Sequence, residues 1–240
     1  MKGRPVTIQS PASQLSHTAI AFDLDGTLVD TAPDLVAALN ATLRQDGLSG
    51  FAVETMRPMV GQGARALLQR AAHAHGVDFD APRLDALTEQ FIAHYRDAIA
   101  VESRPFPGCI AVLEALSQAG VTISVCTNKR TGLAQALLSA LHMDHYFKAI
   151  VGSDSVAARK PHPDHFWAAI DQAGGDRAHS IMIGDSEADV GAAIAAGRPV
   201  VMVGFGYLDQ PAKAYGATAI IDHFDELIAT CATLLAPAAR

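Results

Sequence analysis

The sequence predicts an α/β protein: a doubly wound, mainly parallel sheet with an all-helical block inserted after its first strand. Three observations predict it. Short apolar runs rich in Val and Ile recur along the chain, separated by patterns with helical spacing. Residues 33–104 interrupt that alternation with helical spacing and no run that reads as a buried strand. Half of the 240 residues are apolar, enough for a sizeable core in one large or two smaller domains.

The elements follow in order. The opening MKGRPVTIQSPASQLSH has two prolines, several polar residues and no apolar stretch of the kind a secretory signal carries, so residues 1–17 are expected to be a flexible tail. Residues 18–22 read as the first strand, because the run is short, apolar and followed by Gly26 as a turn signal. Helical spacing then places Leu35, Val36, Leu39 and Leu43 on one face, Leu67, Leu68 and Ala71 on a second, and Leu84, Leu87, Phe91 and Tyr95 on a third. The stretch Arg104-Pro105-Phe106-Pro107-Gly108 closes this block and is expected to act as a hinge. Further strands are expected at 121–126, 149–152, 180–183, 199–203 and 219–221, with Gly120 and Gly197 ending the helices before two of them. The expected division is a core of residues 18–32 and 105–240 and a helical unit of residues 33–104.

Composition excludes some functions. Lys and Arg number 18 against 25 Asp and Glu, a net charge of -7, and no basic run offers the phosphate-neutralising face that nucleic acid needs. Cys109, Cys126 and Cys231 are widely separated, with neither a disulfide framework nor zinc spacing, which suits a reducing cytoplasm. No segment has the apolar length to cross a bilayer. The expectation is a soluble cytoplasmic protein without nucleic-acid or membrane partners.

Chemistry enters with Asp23 and Asp25 in FDLDGTLVDT. Side chains alternate along a strand, so the two carboxylates would share a face, and a bend at Gly26-Thr27 would lift both clear of the sheet at its C-terminal edge. Open α/β sheets bind ligands there. Two acids this close repel unless a cation lies between them or one holds a proton. A hard cation such as Mg²⁺ prefers carboxylate oxygen and needs only one or two protein carboxylates. Alone, the pair is an acidic turn. Later strand ends add Thr127-Asn128, then Lys160-Pro161-His162-Pro163, then Gly184-Asp185-Ser186-Glu187-Ala188-Asp189. Singly these read as a helix cap, a solvated lysine and an N-cap. Together they supply carboxylates for a cation, and a hydroxyl, an amide and an ammonium for an anion. That combination describes a phosphate site.

These four segments, in this order, resemble the motifs of the haloacid dehalogenase superfamily of phosphohydrolases, and the similarity runs from residue 18 to about residue 227. The resemblance implies a Rossmann-like core with an inserted all-helical cap domain. It implies Asp23 as a nucleophile forming an aspartyl-phosphate, and Asp25 as general acid and then base. Asp23, Asp185 and the backbone carbonyl of Asp25 would hold Mg²⁺, with Asp189 orienting the metal's waters. Thr127, the Asn128 backbone and Lys160 would hold the phosphoryl oxygens.

The substrate is read from weaker signals. VGQGARALL at 60–68, DTAPDL at 30–35 and FGYLD at 205–209 resemble segments of phosphoglycolate phosphatases. Arg65 is the candidate reader of an anionic group on the substrate, against the commoner outcome of an exposed helical arginine. Gly61 to Ala66 also imitates the dinucleotide fingerprint, but no strand precedes it. His73 and His75 lack further ligands and read as solvated, His162 as shaping its turn, and Cys126, Phe166 and Trp167 as packing. The favoured reading is a Mg²⁺-dependent phosphatase for a small phosphorylated metabolite, 2-phosphoglycolate first and a sugar phosphate second. A phosphomutase would share Asp23 and Asp25. A dehalogenase is disfavoured, since those members place tyrosine where Asp25 stands. A binding protein that has lost catalysis is opposed by the intact set Asp23, Asp25, Thr127, Lys160 and Asp185.

Overall fold

The computed structural model describes residues 11–236. Along the chain, β1 (Ala19–Phe22) leads through a tight loop to β2 (Val29–Asp30), and then to the helices α1 (Ala32–Gln45), α2 (Val53–Met56), α3 (Ala64–Ala74) and α4 (Ala81–Asp97). After β3 (Arg104–Pro105) the α/β alternation takes over. It runs α5 (Cys109–Gln118), β4 (Thr122–Cys126), α6 (Thr131–Ala140), β5 (Ala149–Val151), α7 (Pro163–Gln172), β6 (Ser180–Gly184), α8 (Glu187–Ala195), β7 (Val200–Val203), β8 (Ala219–Ile221) and α9 (Leu227–Leu235).

Six strands form one parallel sheet in the order β5-β4-β1-β6-β7-β8. A parallel sheet needs cover on both faces, and the side-chain alternation of β1 shows how it is supplied. Ile20 and Phe22 point into a core shared with Leu113 of α5, Leu137 of α6 and Leu227 of α9. Ala19 and Ala21 point the other way, against Phe166 and Ile170 of α7 and Ala193 of α8. Strand order reverses at β1, with β4 on one side and β6 on the other. Loops leaving these strands therefore part at a crevice over their C-terminal ends, the place where such sheets bind ligands.

The residues at helical spacing in the inserted block close on one another. Leu35, Leu39, Leu43, Leu68, Leu84, Leu87, Phe91 and Tyr95 are all buried in a second core, which Leu133 and Tyr207 join from the sheet side. Asp34 ties the block's two ends together. Its carboxylate accepts from Ser103 Oγ at 2.6 Å, Ser103 N at 2.8 Å and Glu102 N at 3.0 Å.

At the start of the stretch expected to be a hinge, β3 pairs antiparallel with β2, Val29 opposite Pro105 and Asp30 opposite Arg104. Both chain passages into the block are thus hydrogen-bonded to each other. The tail expected over 1–17 gives way to a 3-10 helix at Pro11–Leu15, with Leu15 buried in the main core against the α9 side of the sheet. Residues 1–10 lie outside the described residues. Among the described residues no helix is long and apolar enough to cross a membrane.

Candidate active site

The chain leaves β1 at Asp23, whose N–H still donates across the sheet to Ile183 O at 2.8 Å. It then folds back on itself: Leu28 N and Val29 N both donate to Leu24 O at 3.0 Å, and Gly26 N donates to Val29 O at 3.0 Å. This turn needs Gly26 at φ 82°, a left-handed conformation that side chains disfavour. A Cβ at Gly26 would also fall inside the Asp185 carboxylate. Asp23 and Asp25 are buried beside this turn, with 3% and 7% exposure.

The other strand ends bring their groups to the same place. Lys160 Nζ lies 3.0 Å from Asp23 Oδ1 and 2.5 Å from Asp189 Oδ1. Asp189 Oδ2 closes a capping box at the start of α8, accepting from Ser186 N at 3.0 Å and Ser186 Oγ at 2.6 Å. Both of its oxygens thus accept from protein donors, Oδ2 from two and Oδ1 from one. Asp185 accepts from Thr27 Oγ1 at 2.9 Å and Tyr207 N at 2.7 Å, which leaves each oxygen a free lone pair. Thr127 and Asn128 follow β4 and are buried, and Asn128 Nδ2 donates to Lys160 O at 3.2 Å. The structure thus gathers Asp23, Asp25, Thr127, Asn128, Lys160, Asp185 and Asp189 into one site.

Charge decides what the site can hold. Asp23, Asp25, Asp185 and Asp189 are all buried, and the buried ammoniums among them are those of Lys129 and Lys160. An excess of two negative charges away from water is costly, and a divalent cation would cancel it. Ligand atoms of Asp23, Asp185 and Asp189 lie within 4.8 Å of one another. Asp23 Oδ1 has Lys160 as a charge neighbour but no hydrogen-bond partner among the described residues, so a buried carboxylate oxygen is left open. Burial pushes the Asp23 carboxyl up to about 7, against the lowering pull of Lys160 and with help from Asp189 and Asp25. Asp185 is likewise raised well above the usual carboxylate range, first by burial and then by Asp23. Burial alone would weaken the Lys160 charge, but Asp189 and Asp23 more than restore it and hold the ammonium above its ordinary range. All-oxygen donors around excess negative charge suit a hard cation such as Mg²⁺.

The model of the haloacid dehalogenase-like hydrolases matches residues 20–203, most of the chain and all four motif segments. The chain belongs to that family. Among its relatives is a phosphoglycolate phosphatase of Caulobacter vibrioides, 47% identical over 94% of this chain and 95% of the relative. Another is an N-acetylmuramic acid 6-phosphate phosphatase of Pseudomonas aeruginosa, 36% identical over 88% of this chain and 92% of the relative. A crystal structure described as a predicted phosphoglycolate phosphatase from Haemophilus somnus superposes with a TM-score of 0.82 at 31% identity, covering 89% of this chain and 97% of that one.

This haloacid dehalogenase-like hydrolase uses residues around the motifs that sequence reasoning passed over. His165 is fully buried, and its Nδ1 accepts from Lys160 N at 3.1 Å while Nε2 lies 3.1 Å from Val151 O. Burial, then Lys160, lowers its pKa to about 4, so the ring is neutral with its proton on Nε2. Thr31 is placed to cap α1, yet its hydroxyl donates to Asp25 Oδ1 at 2.6 Å. The Tyr207 hydroxyl serves that helix end instead, accepting from Thr31 N at 2.6 Å and Ala32 N at 2.8 Å and donating to Asp30 Oδ1 at 2.7 Å. Tyr207 lies in the FGYLD segment, whose resemblance was a signal without an assigned role. Lys129, next to the Thr127-Asn128 pair, ends 2.8 Å from Asp25 Oδ1.

A cavity of about 310 Å³ separates the helical block from these groups, with Asp25, Asn128 and Lys129 below and Gly61, Gly63 and Arg65 above. Arg65 is on its wall, but the guanidinium pairs with Asp85 at 2.9 Å and the side chain is 48% exposed. His73 is exposed, and His75 lies 2.9 Å from Ser49 O and packs on Phe51. His162 caps α7 by accepting from Asp164 N. Cys126 and Phe166 are core residues, while Trp167 sits half-buried under Arg177.

Proposed function

We propose that this protein is a Mg²⁺-dependent phosphatase that hydrolyses a small phosphate monoester, 2-phosphoglycolate, through an aspartyl-phosphate on Asp23. The observation that carries the reading is the buried carboxylate cluster with Asp23 Oδ1 open beside Lys160. Asp23 attacks phosphorus, and Asp25 passes a proton to the leaving alcohol. Asp25 then takes a proton from the water that cleaves the aspartyl-phosphate. Lys160, the Thr127 hydroxyl and the Asn128 backbone N–H hold the phosphoryl oxygens. Asp23, Asp185 and the Asp25 carbonyl would hold Mg²⁺, which would supply the charge neutralisation that lets a carboxylate approach an anionic phosphate. Phosphate monoesters hydrolyse so slowly unaided that acceleration of up to about 10²¹-fold is asked of such sites, and positioning with charge neutralisation is how it is met.

The helical unit of residues 33–104 is a cap that closes the cavity over the substrate and excludes water. Its contacts with the core support this. Glu89 of α4 accepts from Arg130 at 2.5 and 3.2 Å, and Tyr95 of α4 covers the Lys129 ammonium at 4.5 Å from its ring centroid. The higher identity to the phosphoglycolate phosphatase of Caulobacter vibrioides than to the N-acetylmuramic acid 6-phosphate phosphatase favours the small acid.

Phosphate release from a panel of 2-phosphoglycolate, a sugar 6-phosphate and an aryl phosphate tests the reading. The highest kcat/KM is expected for 2-phosphoglycolate. A faster sugar phosphate moves the substrate assignment to sugars. Isomerised ester without inorganic phosphate identifies a mutase, and no turnover of any ester identifies a binding protein. Gly26→Ala tests the metal geometry: forcing a methyl group onto Asp185 should weaken apparent Mg²⁺ affinity by roughly 10–100-fold in a magnesium titration of activity.

A further inference from the structure

We propose that Lys129 reads the carboxylate of the substrate, from the core side of the cavity. The inference rests on the phosphatase reading above and names the group that gives it substrate preference. Lys129 is 5% exposed in its side chain, borders the cavity, and has two neighbours for its ammonium. One is Asp25 Oδ1 at 2.8 Å and the other is the face of Tyr95 at 4.5 Å. An ammonium carries three N–H donors, so one carboxylate and one ring face leave a donor without a partner among the described residues. A dry, incompletely paired cation beside a cavity calls for an anion.

Position says which anion. An acid within hydrogen-bond reach of the leaving oxygen sits about 2.6–3.2 Å from it. Asp25 holds that role and touches the ammonium at 2.8 Å, so Lys129 stands one carboxylate away from the ester oxygen. In 2-phosphoglycolate a single methylene joins that oxygen to the carboxylate. The site therefore suits phosphate esters of 2-hydroxy acids, whose charge falls within reach of Lys129, and disfavours esters whose charge lies farther along the chain.

The cavity's arginines are less suited. Arg65 pairs with Asp85 and Arg130 with Glu89, both in exposed pairs, and Arg159 is exposed. Water and existing partners weaken what each offers a substrate. Lys129 is enclosed, and a charge-assisted hydrogen bond is stronger there.

The test compares 2-phosphoglycolate with ethyl phosphate, which replaces the carboxylate by a methyl group. In the parent protein, a preference for 2-phosphoglycolate supports the substrate reading, and equal kcat/KM for the two esters overturns that reading by itself. In Lys129→Met the ratio of the two kcat/KM values should fall roughly thirtyfold, the range of a lost charge-assisted hydrogen bond. Lys129→Arg should keep part of the preference. A parent that prefers 2-phosphoglycolate alongside a Lys129→Met protein with an unchanged ratio overturns the Lys129 assignment alone. An equal loss on both esters does the same, since Lys129 would then act only through Asp25. A second measurement needs no variant: 3-phosphooxypropanoate, with its carboxylate one methylene farther away, should be a poorer substrate of the parent. Equal turnover of the two acids overturns the proposal.

Discussion

Asp23→Asn should lose turnover by roughly 10⁴-fold or more, the scale seen when a nucleophile is removed from a working constellation. An amide nitrogen cannot replace the attacking carboxylate oxygen. The fold should survive, because Asp23 is held through its backbone N–H to Ile183 O, and its Oδ1 has no hydrogen bond to lose among the described residues. Thermal unfolding close to the parent, with phosphate release at background, is the expected pair of results. Near-parental turnover would move the nucleophile elsewhere. Asp25→Asn separates the second role. Its side chain contacts Thr31 and Lys129 rather than Lys160, so it should slow both formation and breakdown of the phospho-enzyme while leaving Asp23 in place.

Chelation should silence the protein, and added Mg²⁺ should restore it. Four buried carboxylates against two lysines make a poor phosphate site until their excess charge is cancelled. Ca²⁺ should inhibit, since its larger and looser coordination shell misplaces the attacking carboxylate. The raised pKa of Asp23 adds a pH dependence with a definite sign. Near pH 7 and below, the metal-free carboxyl holds a proton that a cation must displace, so binding releases protons. Apparent Mg²⁺ affinity should therefore weaken as pH falls below about 7, by roughly tenfold per unit for the Asp23 proton and more steeply where the raised Asp185 carboxyl must lose one as well. Calorimetric titration at pH 5.5, 6.5 and 8 in buffers of different ionisation enthalpy reads both affinity and protons released. Affinity independent of pH across that range would mean Asp23 is not the group displaced. Full activity in chelator with no bound metal would falsify the metal assignment as a whole.

Much of this architecture was legible because its signals are local. A buried parallel strand needs a short apolar run, and residues 180–183 and 219–221 carried one where the structure has β6 and β8. Helices of the inserted block needed apolar residues three and four apart, and every one singled out on those faces is buried in the second core. What escaped was short or lacked periodicity. The two-residue strands β2 and β3 contain a proline and two charged residues, and they exist only because the chain of residues 31–103 returns to the same place. Leu15 gives no pattern by itself and is ordered by packing against the main core.

The sequence by itself determined the chemistry available: carboxylates, an ammonium, a hydroxyl and an amide at successive strand ends, which a parallel sheet must bring to one edge. Tertiary structure alone decided which of those charges meet. Nothing local couples Lys160 to Asp189, Tyr207 to Thr31, or Lys129 to both Asp25 and Tyr95, since these contacts join residues between 29 and 176 positions apart or cross from the sheet to the inserted block. Nor does Arg65 reveal in sequence that Asp85 will hold its guanidinium. The reason is physical. Secondary structure follows from periodicities within a few residues, whereas the partner of a charge is set by how the layers pack and by the cost of leaving that charge buried alone.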